Sequence, residues 1–415
     1  MTPLTTPSEQ PYQVTSAADI LSYVLHTLGF QPAESLVLLT MCGKRVGATL
    51  RVDLPANDLD PAEYAAGVCS ILASDTSADG ALLVLYSTDV WALAAGPPRQ
   101  DLVSCLSSSL HSVGLELRDG WLVTDTVWRD YFCTDPDCCP WPGYPLESVT
   151  DSPLHTELVF RGSSIAQSLT AAVHGDTPQP WADPAQMARR WQDQQDRLGW
   201  RWTAAPQFAT TLALWDVLLT PPADPGPLDD HDITAHLLAS LSSRPLRDAV
   251  LVSAALGRET AVSGAAGNGV QRPGRDAPDL PPGGWAVLDL DPGAAAHCPR
   301  DTADRRYARE FCDVLIGQHR GQLRWDRVDV AHELFSRLSA VATDEPRVAL
   351  LTMLGWIEWA RGRGSRAHLY LQEALKEMPN YSLAGLLDQV VARGILAEWT
   401  RDRELAWRHG TPHAV

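Results

Sequence analysis

Three cysteines in a proline-rich stretch form the densest group of chemically active side chains in the sequence. Cys133, Cys138 and Cys139 lie within RDYFCTDPDCCPWPGY, residues 129–144. Thiolates are good ligands for zinc and iron–sulfur clusters, and one loop can wrap several of them around an ion. Zinc sites usually show C-x2–4-C pairs, however, and adjacent cysteines rarely both ligate one metal. We therefore expect no bound metal and a structural loop, with metal binding or thiol redox chemistry as alternatives.

A second group of polar side chains follows the predicted strands of the first 150 residues. Arg51 and Asp53 alternate with a valine along VGATLRVDLP, and Tyr86 and Asp89 end the apolar run GALLVLYSTD. Open α/β sheets commonly place ligand sites at the carboxyl ends of their strands. Together with Arg129, these residues are the candidate cleft, and two carboxylates beside an arginine suit acid/base or phosphate chemistry. The alternative is that Asp53 and Asp89 cap the turns or helices that follow them.

The usual signatures of hydrolases, nucleotide-binding proteins and metalloproteases are missing from the sequence. There is no G-x-S-x-G element and no Walker sequence, and His332-Glu333 is not followed by a second histidine at the H-E-x-x-H position. The glycines between residues 264 and 269 have no strand before them, so they do not form a dinucleotide-binding loop. We expect no cofactor.

Composition and charge limit the partners that the chain can bind. The 415 residues carry 33 basic and 51 acidic side chains, for a net charge of −18, and 45% of the residues are hydrophobic. An acidic surface repels phosphate backbones and anionic lipids, so no nucleic-acid partner is expected. The basic residues include only two lysines, Lys44 and Lys376, which indicates a GC-rich coding sequence.

The location of the protein follows from what its first residues and apolar runs lack. The opening MTPLTTPSEQPYQ has neither the basic start nor the apolar run of a signal peptide, and no run reaches the roughly 20 residues needed to cross a bilayer. We expect a cytoplasmic protein with reduced cysteines and no membrane partner. No oligomeric state is predicted.

The elements that position these residues are indicated by periodicity. Residues 16–29 have the spacing of an amphipathic helix, with Ser16 as N-cap and Gly29 as its stop. A predicted hairpin, a helix, the buried strand at residues 80–86, another helix and a strand pair around Asp119 and Gly120 follow. The order α-β-β-α-β-α-β-β predicts an α/β domain with a mixed sheet over residues 1–150, closed by the cysteine-containing loop.

Beyond residue 150 the sequence predicts an all-α region. Residues 151–256 contain four helical patterns, and residues 257–284 are rich in Gly and Pro, which predicts a flexible linker or loop. Residues 285–415 have helix-turn-helix periodicity. Part of this region resembles a tetratricopeptide unit, with residues at that repeat's register: Leu354-Gly355, Gly362, Ala367, Ala374-Leu375 and Pro379.

The whole chain resembles the domain-of-unknown-function family numbered 4192, an actinobacterial family. The resemblance rests on LGFQPAESLVLL, VGATLRVDLP, LLVLYSTD, FCTDPDCCPWPGYPL and the helical close GWIEWARGRGSRAHLYLQEAL, of which CTDPDCCP is the most specific. It implies a bacterial origin, in agreement with the excess of arginine, and carries no activity that could be transferred.

These observations favour a cytoplasmic interaction or regulatory protein that binds a protein or peptide through its helical-repeat domain. The alternative is an enzyme of unrecognised class with a cleft at the strand ends of the α/β domain. A third hypothesis is metal or thiol-redox sensing through the loop that carries Cys133, Cys138 and Cys139. The first predicts an open groove on the helices, and the second predicts converging polar side chains in a pocket.

Overall fold

The structure is a computed structural model that describes residues 14–55, 59–89, 91, 96–135, 137–175, 179–222, 224–288, 305–402 and 404–408. The chain divides into two compact units, Met1–Asp176 and Thr177–Val415, which we call the sheet unit and the helical unit. The fold class predicted from the sequence is confirmed. A six-stranded mixed sheet with helices is followed by a largely helical region.

The sheet unit contains six strands and six helices among its described residues. The strands are β1 Ser35–Cys42, β2 Arg45–Asp53, β3 Gly80–Tyr86, β4 Glu116–Val123, β5 Val127–Asp130 and β6 Tyr144–Pro145. The helices are α1 Ala17–Leu28, α2 Pro61–Leu72, α3 Gln100–Ser112, α4 Glu147–Thr150, α5 Pro153–Phe160 and α6 Leu169–His174.

The sheet has the strand order β2-β1-β3-β4-β5-β6, and only the β3–β4 pair is parallel. Strands β1 and β3 are buried on both faces, as their continuous apolar sequences require. Helices α2 and α3 cover one face, and α1 and α4 cover the other. Side chains alternate between these two faces along each strand, so Arg51 and Asp53, two positions apart on β2, lie on the same side.

Two boundaries in this unit differ from the sequence prediction. The segment around Asp119 and Gly120 is not a strand pair but one continuous strand, β4, with an irregular register against β3 near Leu82. The hairpin partner of β4 is β5 instead. The unit also extends to Asp176 rather than ending at residue 150, because α5 packs on α1 and Phe30 bridges to Ala166.

The helical unit is built from α-helices and short 3-10 turns. The α-helices are α7 Pro184–Leu198, α8 Ala205–Leu218, α9 His231–Ser240, α10 Arg244–Leu256, α11 Arg258–Gly267, α12 Pro282–Leu288, α13 Arg305–Leu315, α14 Trp325–Ser339, α15 Asp344–Ala360, α16 Gly364–Glu377 and α17 Ser382–Ala392. The 3-10 turns are Gly199–Thr203, Gly226–Asp229 and Glu398–Arg401. Among the described residues, no helix of the protein is long and apolar enough to cross a bilayer.

Residues 258–267 correct part of the sequence prediction of a flexible linker over residues 257–284. Helix α11 lies within them, and its residues from Thr260 to Ala265 are buried. The glycines are used for close packing: a Cβ on Gly264 would lie 2.6 Å from the Cβ of Phe311 on α13. Small residues therefore let two helices approach closely here. The low apolar content that suggested disorder instead reflects a helix buried through alanine and glycine.

Helix α15 is the centre of the C-terminal part of the helical unit. It is buried from Val348 to Ala360 and contacts α14, α16 and α17. The contact between α15 and α16 is tight, since a Cβ on Gly355 would lie 2.7 Å from Cγ of Leu371. Ala367 and Ala374 of α16 are fully buried.

Candidate functional site

Arg51 and Asp53, the first two residues of the predicted cleft, form an ion pair at the end of β2. The Arg51 Nη2 atom lies 2.5 Å from Asp53 Oδ1 and donates a hydrogen bond of 2.8 Å to the Ser35 hydroxyl. The Asp53 side chain is 76% exposed, so this pair lies at the surface and contributes little to stability. The Asp53 carboxylate is therefore already paired with Arg51 of the same strand.

Asp89 is also neutralised by a neighbouring arginine. Its Oδ2 atom accepts a hydrogen bond of 2.8 Å from Nε of Arg99, the residue that precedes α3. Nearby, the Glu34 carboxylate accepts hydrogen bonds from the backbone N–H and the hydroxyl of Thr88, at 2.7 and 2.8 Å. The carboxylates at this end of the sheet therefore hold strand ends and loops together.

Tyr86 lies on the face of the sheet covered by α1 and α4. Its ring is 3% exposed, and its hydroxyl has no hydrogen-bond partner among the described residues. The side chain lines a cavity of about 70 Å³ whose other walls include Leu25, Gln31 and Val149. Burial raises the pKa of the phenol above its usual value. Tyr86 is therefore a neutral group facing a small cavity.

Arg129 lies on the opposite face from Tyr86, so the structure does not place all five candidate residues in one cleft. On β5 Arg129 pairs directly with Leu122 of β4, which belongs to the core under α2 and α3. Arg51 instead pairs with Val37 of β1, which faces α1 as Tyr86 does. The candidate residues divide into groups on the two faces of the sheet.

The Arg129 guanidinium is held between two indole rings. Its Cζ atom lies 4.3 Å from the centre of the Trp91 ring and 5.0 Å from that of Trp141. The side chain is buried, and its Nη2 atom makes only a long hydrogen bond, 3.5 Å, to the Cys133 carbonyl oxygen. The Nε and Nη1 atoms have no acceptor among the described residues. In the part of the chain that the structure describes, aromatic faces rather than a carboxylate stabilise this buried cation.

Local sequence explains how the loop after β5 reaches this position. The Asp130 carboxylate accepts hydrogen bonds from the backbone N–H groups of Phe132 and Cys133, both 2.8 Å, and so turns the chain out of the strand. Gly143 returns it, with φ +153 and a backbone approach in which a Cβ would meet the Trp128 carbonyl oxygen at 2.6 Å. Tyr144 then stacks on Trp128.

The three cysteines of this loop face one another. Their Sγ atoms all lie within 4.8 Å of one another, and those of Cys138 and Cys139 are 3.9 Å apart. Cys139 is buried, Cys133 is half-buried and Cys138 is exposed. Burial, together with contacts to the other two thiols, raises the pKa of Cys139 to about 12, and hydrogen bonding with Cys133 raises that of Cys138. Without a bound cation Cys139 is therefore a thiol rather than a thiolate at neutral pH.

Sequence reasoning missed the two tryptophans that flank Arg129. Trp91 and Trp141 are 50 positions apart in the sequence, and their rings meet edge to face at 6.5 Å with the Arg129 guanidinium against both. The signal that could have found Trp141 is an aromatic residue among prolines in an irregular loop, where a core position is unusual. Its side chain is 43% exposed.

The helical unit contains a separate group of buried charges around Glu358. This carboxylate is 1% exposed and accepts a hydrogen bond of 2.6 Å from Arg361, while His332 Nε2 lies 3.3 Å away. Burial alone would raise the pKa of Glu358, but the hydrogen bond from His332 and the charges of Arg361 and Arg363 hold it well below its usual value. The group is a matched ion network within the core.

The fold and the site define a two-unit protein: a mixed-sheet unit carrying a cysteine loop beside a caged arginine, and a helical unit. A family model described as "Domain of unknown function (DUF4192)" matches residues 18–264 and 322–398, which is most of the chain. The chain belongs to this DUF4192 family. No curated protein and no solved structure matches it significantly.

Proposed function

We propose that this protein is a cytoplasmic interaction or regulatory protein of actinobacterial origin, whose helical unit binds a helical segment of a partner protein. The observation that carries the proposal is the apolar outer side of α17, on which Leu386 is 61% exposed. Only Ala384 and Leu387 of this apolar helix are buried. An exposed apolar helix face is a feature of protein-binding surfaces.

The packing of α14 to α17 supports a tetratricopeptide-like arrangement. Each helix contacts the next in the chain, and α15 also contacts α17, the helix two positions further on. Such contacts between alternate helices are expected when helical hairpins stack side by side. The small residues of the predicted repeat register occupy the helix contacts, as Gly355 and Ala367 illustrate.

In a stacked array of this kind the terminal helix normally has a polar outer side. On α17, Leu383, Leu386 and Val390 are spaced by three and four residues, so they share one helical face, and all three retain contact with solvent. The stack is therefore unfinished at α17. An amphipathic helix from a partner would bury these side chains in the way that the next repeat would.

The test is a comparison of two exposed positions on α17. The partner that co-purifies with the wild-type chain is first prepared separately. Leu386→Glu should abolish its co-purification and weaken its binding by at least about tenfold relative to the wild type. Ala392→Glu, an exposed position on the same helix that lies off this face, is the matched control and should retain binding. Equal binding by both variants would overturn the proposal, as would loss of a wild-type dimer in Leu386→Glu, which would identify a second copy as the occupant.

A further inference from the structure

We propose that Cys133, Cys138 and Cys139 form a binding site for a thiophilic d10 metal ion, Zn²⁺, with three thiolate ligands and a fourth position open to exchangeable ligands. The site lies on the sheet unit and does not depend on the function proposed for the helical unit. The observation that carries it is the convergence of all three Sγ atoms within 4.8 Å.

The distances are those of a site close to its metal-bound geometry. A tetrahedral zinc ion with Zn–S bonds of about 2.3 Å holds its sulfur atoms about 3.8 Å apart. The Cys138 and Cys139 Sγ atoms are 3.9 Å apart. The widest separation of 4.8 Å closes through a side-chain rotation of the less buried thiols, Cys133 and Cys138.

The objection from sequence spacing does not hold for this loop. It assumed that neighbouring cysteines project to different sides of the chain and cannot face one ion. Here the backbone turns between them: the Cys139 N–H donates to the Asp135 carbonyl oxygen at 2.8 Å, and the Cys138 carbonyl oxygen accepts from the Tyr144 hydroxyl at 2.7 Å. Both contacts fix the loop so that the adjacent side chains converge.

The cluster provides three ligands, one fewer than a tetrahedral zinc ion takes, and this number defines the kind of site. Within the described part of the chain, no histidine, carboxylate or fourth cysteine joins the cluster. Cys298, one of the five other cysteines of the chain, lies outside the described residues. Three protein ligands and an open position are the arrangement of zinc sites that exchange a ligand, and the exposure of Cys138 places the open position at the surface.

Arg129 supplies the charge that such a site needs. Three thiolates and one divalent ion carry a net charge of −1, which requires a nearby cation in a partly buried loop. The Arg129 guanidinium is 94% buried next to the loop, contacts the Cys133 carbonyl oxygen, and has no carboxylate partner among the described residues. If a carboxylate were paired with Arg129, the guanidinium charge would already be neutralised and would not stabilise the anionic metal complex.

The test uses the full-length protein, purified under reducing conditions and titrated with Zn²⁺ alone in competition with a chromophoric chelator. The wild type should bind one equivalent, and Co²⁺ should give the intense thiolate-to-cobalt absorption of a three-thiolate site. Cys138→Ser should weaken Zn²⁺ binding by at least about tenfold, because one of three thiolate ligands is lost. Cys42→Ser, at an exposed cysteine on β1, should bind as the wild type does.

A second pair of variants tests the role of Arg129. Arg129→Met should weaken Zn²⁺ binding by about tenfold at low ionic strength, and Arg129→Lys should restore part of the loss. Arg118→Met, which removes an exposed arginine paired with Asp79, is the control. Absence of stoichiometric Zn²⁺ binding by the wild type, or binding that persists when all three loop cysteines are serine, would overturn the proposal.

Discussion

Buried arginines of the helical unit face carboxylates, whereas the buried arginine of the sheet unit faces two tryptophans. Arg327 lies 2.5 Å from Asp216, Arg247 lies 2.6 Å from Asp248, and Arg361 lies 2.6 Å from Glu358. Arg129 has Trp91 and Trp141 in the corresponding positions. A carboxylate neutralises a guanidinium permanently, while an aromatic face stabilises it and leaves its charge available.

This difference distinguishes buried charges that stabilise the fold from a buried charge that serves a binding site. Burying an unpaired cation costs several kcal/mol, of which a desolvated cation–π contact offsets about 2 kcal/mol. In the helical unit each of these arginines is paired with a carboxylate, which offsets the cost of burial. These arginines therefore stabilise the packing of the helices. In the sheet unit the cost remains, and we interpret it as the consequence of a site whose anionic group, the complex of three thiolates with the metal ion, forms only when the metal binds.

The largest effect on stability should come from overpacking the helical unit. Ala367→Trp inserts a large ring where α15 and α16 touch, and Ala367 is fully buried. Overpacking typically costs about 1–3 kcal/mol, and a change of this size should exceed about 3 kcal/mol. Thermal unfolding of the helical unit would reveal it, with Lys376→Trp, an exposed position on α16, as the control. An unchanged melting temperature would show that the helix contact is misassigned.

Removing one carboxylate should be nearly as damaging. Asp216→Asn leaves Arg327, which is 2% exposed, without its anionic partner and should destabilise the helical unit by about 3 kcal/mol. Asp232→Asn removes a carboxylate that pairs with Arg190 at the surface and should cost less than about 0.5 kcal/mol. Denaturant unfolding of both variants measures the difference. Similar losses would mean that burial does not govern these pairs.

Acid should weaken the sheet unit through His26. Burial, with a contribution from His155, lowers the pKa of His26 to about 4. The folded state therefore binds fewer protons than the unfolded state between pH 6.5 and 4, and stability falls as the pH decreases through this window. The loss due to His26 should reach about 2 kcal/mol at pH 5.

The measurement for His26 is the pH dependence of unfolding rather than stability at one pH. His26→Gln should remove this loss, whereas His111→Gln, a change at an exposed histidine of the same unit, should leave it in place. Parallel pH profiles for the wild type and His26→Gln would contradict the assignment.

The smallest effect should be at Arg129 itself in the metal-free protein. Arg129→Met keeps an unbranched side chain against Trp91 and Trp141 and removes a charge with no carboxylate partner among the described residues, so the unfolding free energy should not fall by more than about 1 kcal/mol. Chemical denaturation without added metal is the measurement. A loss of about 3 kcal/mol would mean that Arg129 is as firmly paired as Arg327.

The helices and strands of the sheet unit could be predicted from patterns among residues close in sequence. Ser16 caps α1 as predicted, by accepting a hydrogen bond from the N–H of Asp19, and Gly29 ends the helix with a left-handed φ of 73°. The apolar run at β3 is buried throughout, as its composition predicts. These features depend on residues close in sequence, so the element order of the fold could be obtained from the sequence alone.

Features that depend on distant residues could not be predicted in this way. The burial of α11 requires Phe311 against Gly264, and the cage around Arg129 requires Trp91 and Trp141. Composition alone cannot distinguish a glycine that permits close helix packing from one in a flexible linker. The cysteine loop was found from its sequence, but the convergence of its thiols depends on backbone turns that spacing rules do not describe.

The cavity beside Tyr86 also determines how the sheet unit responds to compression. Its volume of about 70 Å³ corresponds to about 40 mL/mol, which is within the range of volume changes that accompany unfolding. High hydrostatic pressure eliminates such voids by favouring the unfolded chain. Pressure should therefore destabilise the sheet unit on the side of α1 and α4, where this cavity lies.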